Sequence, residues 1–170
     1  MYIEPASVDD AFAIAEIHVI AWQHTYRDIL PAEVLAQLSV QQREAMWADS
    51  IAKGVPELLV ARTEDQVAGF IAFGPSRDED RTPESAEIWA IYLRPTALSK
   101  GIGRALWLAA NQRMIKQGYR SVSLWVFIAN QRAIKFYTAA GFRVQPKTQK
   151  DSTLGGAQAQ KIRYVQVISE

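Results

Sequence analysis

Ser99-Lys100-Gly101-Ile102-Gly103-Arg104 is the stretch on which the reading of this chain turns. It follows an apolar, strand-like run, Ala86–Arg94 (AEIWAIYLR), closed by Pro95, and opens a helical pattern from Gly101 to Gln117 that Gly118 stops. Two glycines at a strand-to-helix turn let successive backbone N–H groups converge on one concavity. The unpaired donors and dipole of a helix N-terminus favour an anion there, a pyrophosphate above all. Lys100, Arg104 and nearby Arg94 add positive charge. The same glycines also suit a plain tight turn between strand and helix. Two phosphate loops are excluded by residue. A P-loop needs G-x-x-x-x-G-K-[ST], but here the lysine precedes its glycine and no Ser or Thr follows. A dinucleotide fingerprint needs a third glycine, and position 106 is Leu106.

Outward from this turn, strand and helix periods alternate. Met1–Pro5 reads as extended. Ser7 and Asp10 form a capping-box-like start for a helix carrying Ala11, Ile14, Ala15, His18, Ala21 and Trp22 on one stripe. Further helices are predicted from Pro31, and from Gln41 to Ala52 before Gly54. Glu57–Thr63 and Gln66–Gly74 flank Glu64-Asp65 as an antiparallel hairpin. Pro75–Ser85 is a polar loop, read as a solvated tip. Downstream come a strand at Ser121–Phe127, a helix at Asn130–Ala140 closed by Gly141, and a strand beginning at Phe142–Val144. A last strand, Lys161–Ile168, follows a Gly155-Gly156 turn. This order implies one α/β domain over residues 1–170, a mixed sheet with helices on its faces.

Composition narrows the function classes. Of 170 residues, 49% are apolar and 22% charged, so a globular core is expected rather than a disordered or fibrous chain. The lack of cysteine excludes disulfides, a thiol nucleophile and thiolate zinc sites, and no metal is expected. A formal charge of +1 gives no global attraction to nucleic acid or anionic membrane. No run is apolar enough to span a bilayer, and Met1–Asp10 lacks the basic start of a signal peptide, so a cytoplasmic location is expected.

A second constellation lies one strand past the turn: Asn130-x-x-Ala133-Ile134-x-Phe136-Tyr137-x-x-x-Gly141-Phe142. Asn130 can cap the helix, Ala133 leaves room for a close ligand, and Tyr137 shares Ala133's face one turn on. Taken singly, Asn130 reads equally as a plain cap and Tyr137 as a core aromatic. Together with the upstream turn, from about Glu87 to Phe142, the pair resembles the GCN5-related N-acetyltransferase (GNAT) family.

That resemblance implies a largely antiparallel central sheet containing one parallel strand pair that splays, with acetyl-CoA in the V-shaped gap. Backbone groups left unpaired by the splay need a ligand, and the amide-rich pantetheine arm supplies one like an added strand. Carried over, Ile91, Tyr92 and Leu93 line the arm with their main chains. The amides of Ser99, Lys100, Gly101, Ile102, Gly103 and Arg104 hold the pyrophosphate, and Asn130 bonds the arm from the other side. One departure stands out. The family usually has Gln or Arg three residues before the first glycine, where this chain has Leu98. Rearranged or weaker cofactor binding is expected, with Lys100 and Arg104 compensating.

The implied chemistry is direct attack of a primary amine on the thioester through a tetrahedral intermediate. A base must first deprotonate the amine. Glu87, fourteen positions before Gly101, matches the glutamate of histone-type members. Ribosomal-protein N-terminal acetyltransferases use a base on the strand before Asn130; the matching residue here is Trp125, which cannot serve. A backbone N–H near Ile91–Leu93 would receive the oxyanion. Tyr137, protonated at neutral pH, would protonate the departing thiolate.

Trp22 to Pro31 (WQHTYRDILP) is rich in polar aromatics, as in a bacterial subgroup containing polyamine acetyltransferases. Trp22 and Tyr26 could box an alkylamine or pack the helix on the sheet. Trp125 and Trp89 could wall the acceptor channel or fill the core. His18 reads as a core histidine, His24 as a solvent-side proton shuttle. Asp78, Glu79, Asp80 and Glu84 would suit a polycation such as spermidine, whereas Arg143, Lys147, Lys150, Lys161 and Arg163 form either a solvated face or a site for the 3′-phosphate of coenzyme A. The expected acceptor is a small-molecule amine, polyamine-like by preference. The alternatives are a non-catalytic acyl-CoA-binding regulatory domain and a peptide or protein N-terminal acetyltransferase. By analogy with relatives that pair through C-terminal strands, Arg163–Ile168 could form a homodimer.

Overall fold

A computed structural model of the chain describes residues 1–154 and 156–169. Gly155, half of the expected final turn, lies outside the described residues. The strand before the glycine turn, β4 (Ser85–Leu93), sits mid-sheet. On one side lie β3 (Gln66–Pro75), β2 (Glu57–Thr63) and β1 (Tyr2–Pro5), all antiparallel; on the other, β5 (Ser121–Phe127) runs parallel to it. β8 (Ala157–Val167) pairs antiparallel with β5, and its far edge takes β6 (Arg143–Val144) and β7 (Lys150–Leu154). The mixed sheet expected from the sequence is what forms.

Helices cover both faces, which is why the middle strands read as nearly continuous apolar runs. In β2, Leu58 and Val60 join the cluster under α1 (Ala11–Thr25) and α3 (Val40–Lys53). Leu59 and Ala61 join the opposite cluster under α4 (Ile102–Lys116) and α5 (Gln131–Ala139). The short α2 (Ala32–Ala36) begins after Pro31. The β2–β3 hairpin turns through Glu64 and Asp65, both at positive φ (50° and 62°), the two-residue geometry whose twist matches the strands.

β7 has no counterpart among the sequence expectations: KDSTL has no apolar alternation, because β7 is an outer strand whose stability comes from its ladder with β8. The Pro75–Ser85 loop, expected as a solvated tip, needs correction. Arg163, buried on β8, bonds Asp78 Oδ2 (3.0 Å) and both carboxylate oxygens of Asp80 (2.7 and 2.6 Å), pinning the loop across the sheet. β8 is also flanked on both sides at Tyr164 and Val165, so Arg163–Ile168 is no open edge for a second copy there. Among the described residues, no helix is long and apolar enough to cross a membrane.

Candidate active site

The parallel pairing of β4 and β5 stops early. Ser85–Glu87 pair with Ser121–Ser123; beyond them Ile88–Leu93 and Leu124–Phe127 diverge, unpaired with each other among the described residues. The Arg94 N–H donates to the Ala68 carbonyl. Alternation along the strand then turns the N–H and C=O groups of Ile91 and Leu93 away from β3, into the gap. A bulge sharpens the divergence. Ala72 faces Ala90 but Phe73 faces Ile88, so Trp89 is an extra residue and β4 kinks there. The gap opens into a cavity of about 950 Å³.

At its mouth stands the glycine turn. Gly101 takes φ +79° at the start of α4, and an added Cβ there would meet open space, so conformation rather than crowding requires glycine. Gly103 is the reverse case: its Cβ would come within 3.3 Å of the Phe136 ring on α5. The first turn of α4 has no acidic residue and no side-chain cap, leaving its N–H donors unanswered by the protein. Leu98, Ser99, Gly101, Gly103 and Arg104 line the cavity; Ile102 is buried in the core and Lys100 is exposed outside the lining. The second cation at the mouth is instead Arg132 on α5, whose Nη2 donates to Ser99 Oγ at 2.8 Å.

α5 forms the opposite wall. Asn130 caps it, Oδ1 accepting from the Ala133 N–H at 3.2 Å while Nδ2 donates to the Tyr26 hydroxyl at 3.4 Å. Both readings of Asn130 therefore meet in one residue, a cap that also lines the cavity. Tyr137 is buried between Phe136 and Phe142 and borders the same cavity. Burial, helped by the neighbouring phenols of Tyr92 and Tyr26, raises its pKa above the usual value and keeps it protonated.

Glu87 lies at the closed end, buried to 2% exposure, with Oε1 2.6 Å from Arg77 Nη2 and Oε2 accepting the Arg77 backbone N–H at 2.9 Å. Arg77 in turn lies 4.0 Å over the Trp89 ring. The guanidinium is what lets a carboxylate persist in so dry a place. Trp125 faces it across the gap, its indole N–H donating to Asp78 Oδ1 at 2.9 Å. Of the four carboxylates expected to receive a polycation, Asp78 and Asp80 have a structural task instead, committed to Arg163.

Trp22 and Tyr26 line the cavity and also pack edge-on with centroids 4.8 Å apart, so the two readings of this pair coincide too. The Trp22 indole N–H is buried without a hydrogen-bond partner among the described residues. His18 is a core histidine: its Nδ1 accepts from Trp47 Nε1 at 3.1 Å, and its ring stacks on Tyr92 at 5.0 Å. Burial, with a smaller push from Arg43, lowers its pKa to about 3. His24 is exposed and lines the cavity.

The sequence profile of the acetyltransferase (GNAT) family matches residues 13–142. The chain belongs to that family. The GNAT acyl donor is acetyl-CoA, and this enzyme is an acetyl-CoA-dependent acyltransferase. It is 35% identical over 138 residues to an uncharacterized N-acetyltransferase, YuaI, of Bacillus subtilis, covering 81% of this chain and 77% of that one. It is 26% identical over 148 residues to a spermidine N(1)-acetyltransferase of Thermoplasma acidophilum, covering 84% and 88%. The fold superposes on the PaiA N-acetyltransferase of that organism in complex with coenzyme A, with a TM-score of 0.78, 23% identity, and 98% and 99% of the two chains covered.

The GNAT site fits its donor on its own evidence. The unpaired face of β4 and the amides of α4's first turn, unanswered among the described residues, are polar groups facing one cavity, each calling for a ligand. Sequence reasoning did not place Arg77, Arg132 or the β7 residues Ser152 and Thr153 on the wall. Only Arg132 carried a signal, standing two positions after the capping asparagine.

Proposed function

We propose that this enzyme moves an acetyl group from acetyl-CoA to the primary amine of a small molecule, with Tyr137 as acid and Glu87 as base. Acetyl-CoA brings an acyl group activated as a thioester; the rest is the work of this chain. The amides at Ser99–Arg104 and the Arg104 and Arg132 side chains hold the diphosphate, while Ile91, Leu93 and Asn130 hold the arm. Oε2 of Glu87 accepts both the Arg77 backbone N–H and Nε, whereas Oε1 accepts from Nη2 alone and keeps a lone pair with which the carboxylate can take the amine's proton directly or through water. A backbone N–H of the splayed segment receives the developing oxyanion, a donor of a kind worth about 3–4 kcal/mol to the transition state. As the C–N bond forms and the C–S bond breaks, the Tyr137 hydroxyl gives its proton to the thiolate and is restored from solvent.

One observation carries this reading: the cavity joins an anion-ready helix N-terminus to a protonated phenol and a buried carboxylate along the edge of β4 that splays from β5. Thiol release from acetyl-CoA across diamines, polyamines, amino acids, aminoglycosides and N-terminal peptides tests it. Amine-dependent release is expected. Binding of acetyl-CoA without release to any amine would establish instead the non-catalytic acyl-CoA-binding domain. Spermidine-class acceptors have the Thermoplasma relative in their favour. The charges at the closed end point elsewhere.

A further inference from the structure

The closed end of the cleft holds more positive charge than its carboxylates answer. Lys161 on β8 lines the cavity, and Lys150 on β7 is its register partner. Their ammonium groups approach one aromatic ring: Lys150 Nζ lies 3.9 Å and Lys161 Nζ 5.6 Å from the Trp125 ring centroid. Neither forms an ion pair among the described residues. The carboxylates in the neighbourhood are taken, Glu87 by Arg77 and the Asp78–Asp80 pair by Arg163. The lysines therefore press on each other. Burial, then the charges of Lys150 and Arg77, lower the pKa of Lys161 against an opposing pull from Glu87 and Asp78. Lysines crowded beside carboxylates already bonded to arginine leave a positive potential that draws in an anion.

We propose that Lys161 and Lys150, held over Trp125, form a carboxylate subsite, and that the acceptor is an amino-acid-like compound rather than a polyamine. This rests on the acetyltransferase reading and names its acceptor. The acceptor's carboxylate meets the two lysines while its amine reaches Glu87, so one end of the molecule anchors and the other reacts. Its nitrogen gains the acetyl group and loses a proton to Glu87; the sulfur leaves and takes the proton of Tyr137. A polyamine would bring cations against Lys150, Lys161 and Arg77, where Glu87, Asp78 and Asp80 are already engaged by arginine. β7, the strand with no hydrophobic signature, would thus be what positions the specificity element.

Matched acceptor pairs differing only in the carboxylate test this: lysine against cadaverine, arginine against agmatine, phenylalanine against phenethylamine, each followed by thiol release. The carboxylate-bearing member is expected to have the higher kcat/KM, by about tenfold, the scale of one charge-assisted contact. Lys161→Gln should shrink that ratio through KM, and Lys161→Arg should restore it. Coenzyme A affinity, measured on each variant, separates a folded protein from a damaged one. Faster turnover of cadaverine or agmatine, or a ratio indifferent to Lys161→Gln with coenzyme A still bound, would overturn the subsite and leave the acetyltransferase reading standing. Absence of release with every amine would overturn both.

Discussion

The two ends of the cleft are made of different material. At the mouth the ligand-facing groups are chiefly main chain: the amides of the Ser99–Arg104 turn, the first turn of α4, and the unpaired edge of β4. At the closed end they are side chains, Glu87, Arg77, Trp125 and Lys161, delivered by β4, the loop after β3, β5 and β8. A main-chain site depends on conformation and tolerates changes of side chain, so a cradle of amides is expected to survive Leu98 at its rim. A side-chain site depends on distant elements arriving together, and single substitutions can redirect it. The difference teaches that the donor is fixed by the fold and the acceptor by decoration.

Substitutions can break that division or sharpen it. The largest effect is expected where the ends meet. Tyr137→Phe should lower kcat about 100-fold or more, the usual weight of a general acid, with KM for acetyl-CoA changed less than about twofold. Steady-state thiol release measures both; a large rise in that KM would mean that Tyr137 serves the mouth rather than the chemistry. Next, Gly103→Val should weaken coenzyme A about tenfold by calorimetry, because its Cβ would drive Phe136 aside and distort the first turn of α4. Acceptor KM should follow only weakly. At the other end, Trp125→Leu removes the Asp78 hydrogen bond and the ring beneath the lysines, and should raise acceptor KM roughly three- to fivefold while coenzyme A affinity holds.

A last effect falls on stability rather than catalysis, in the core behind the cleft, where His18 stacks on Tyr92. His18 stays neutral in the folded state down to about pH 3, whereas the unfolded chain protonates it near 6.5. Between those values the unfolded state binds more protons, so stability falls on acidification by up to about 1.4 kcal/mol per pH unit from this group. Melting temperature against pH should show that slope, and His18→Gln, whose amide oxygen can still accept from Trp47, should flatten it.

The same contrast explains what was legible in the sequence. The mouth announced itself, because glycines, a helix start and a capping asparagine are local signals with fixed spacing. Helical period placed Tyr137 on Ala133's face, and the family resemblance implied its role as acid. Glu87 could be proposed from position, but not its Arg77 partner, since the contact depends on how the loop after β3 folds back. Lys161 and Lys150 registered as a basic stretch; only the β7–β8 pairing brings them to one aromatic ring. The acidic loop misled for the same reason. Asp78 and Asp80 read as free charge because Arg163, 85 and 83 residues away, gives no local sign of reaching them.

Amide hydrogen exchange with and without coenzyme A tests most directly whether main chain holds the donor. The N–H groups of Ile102, Gly103 and Arg104, together with those of Ile91 and Leu93, should exchange fast in the free enzyme and slow sharply on binding. Calorimetric binding accompanied by unchanged exchange at those five amides would contradict the account.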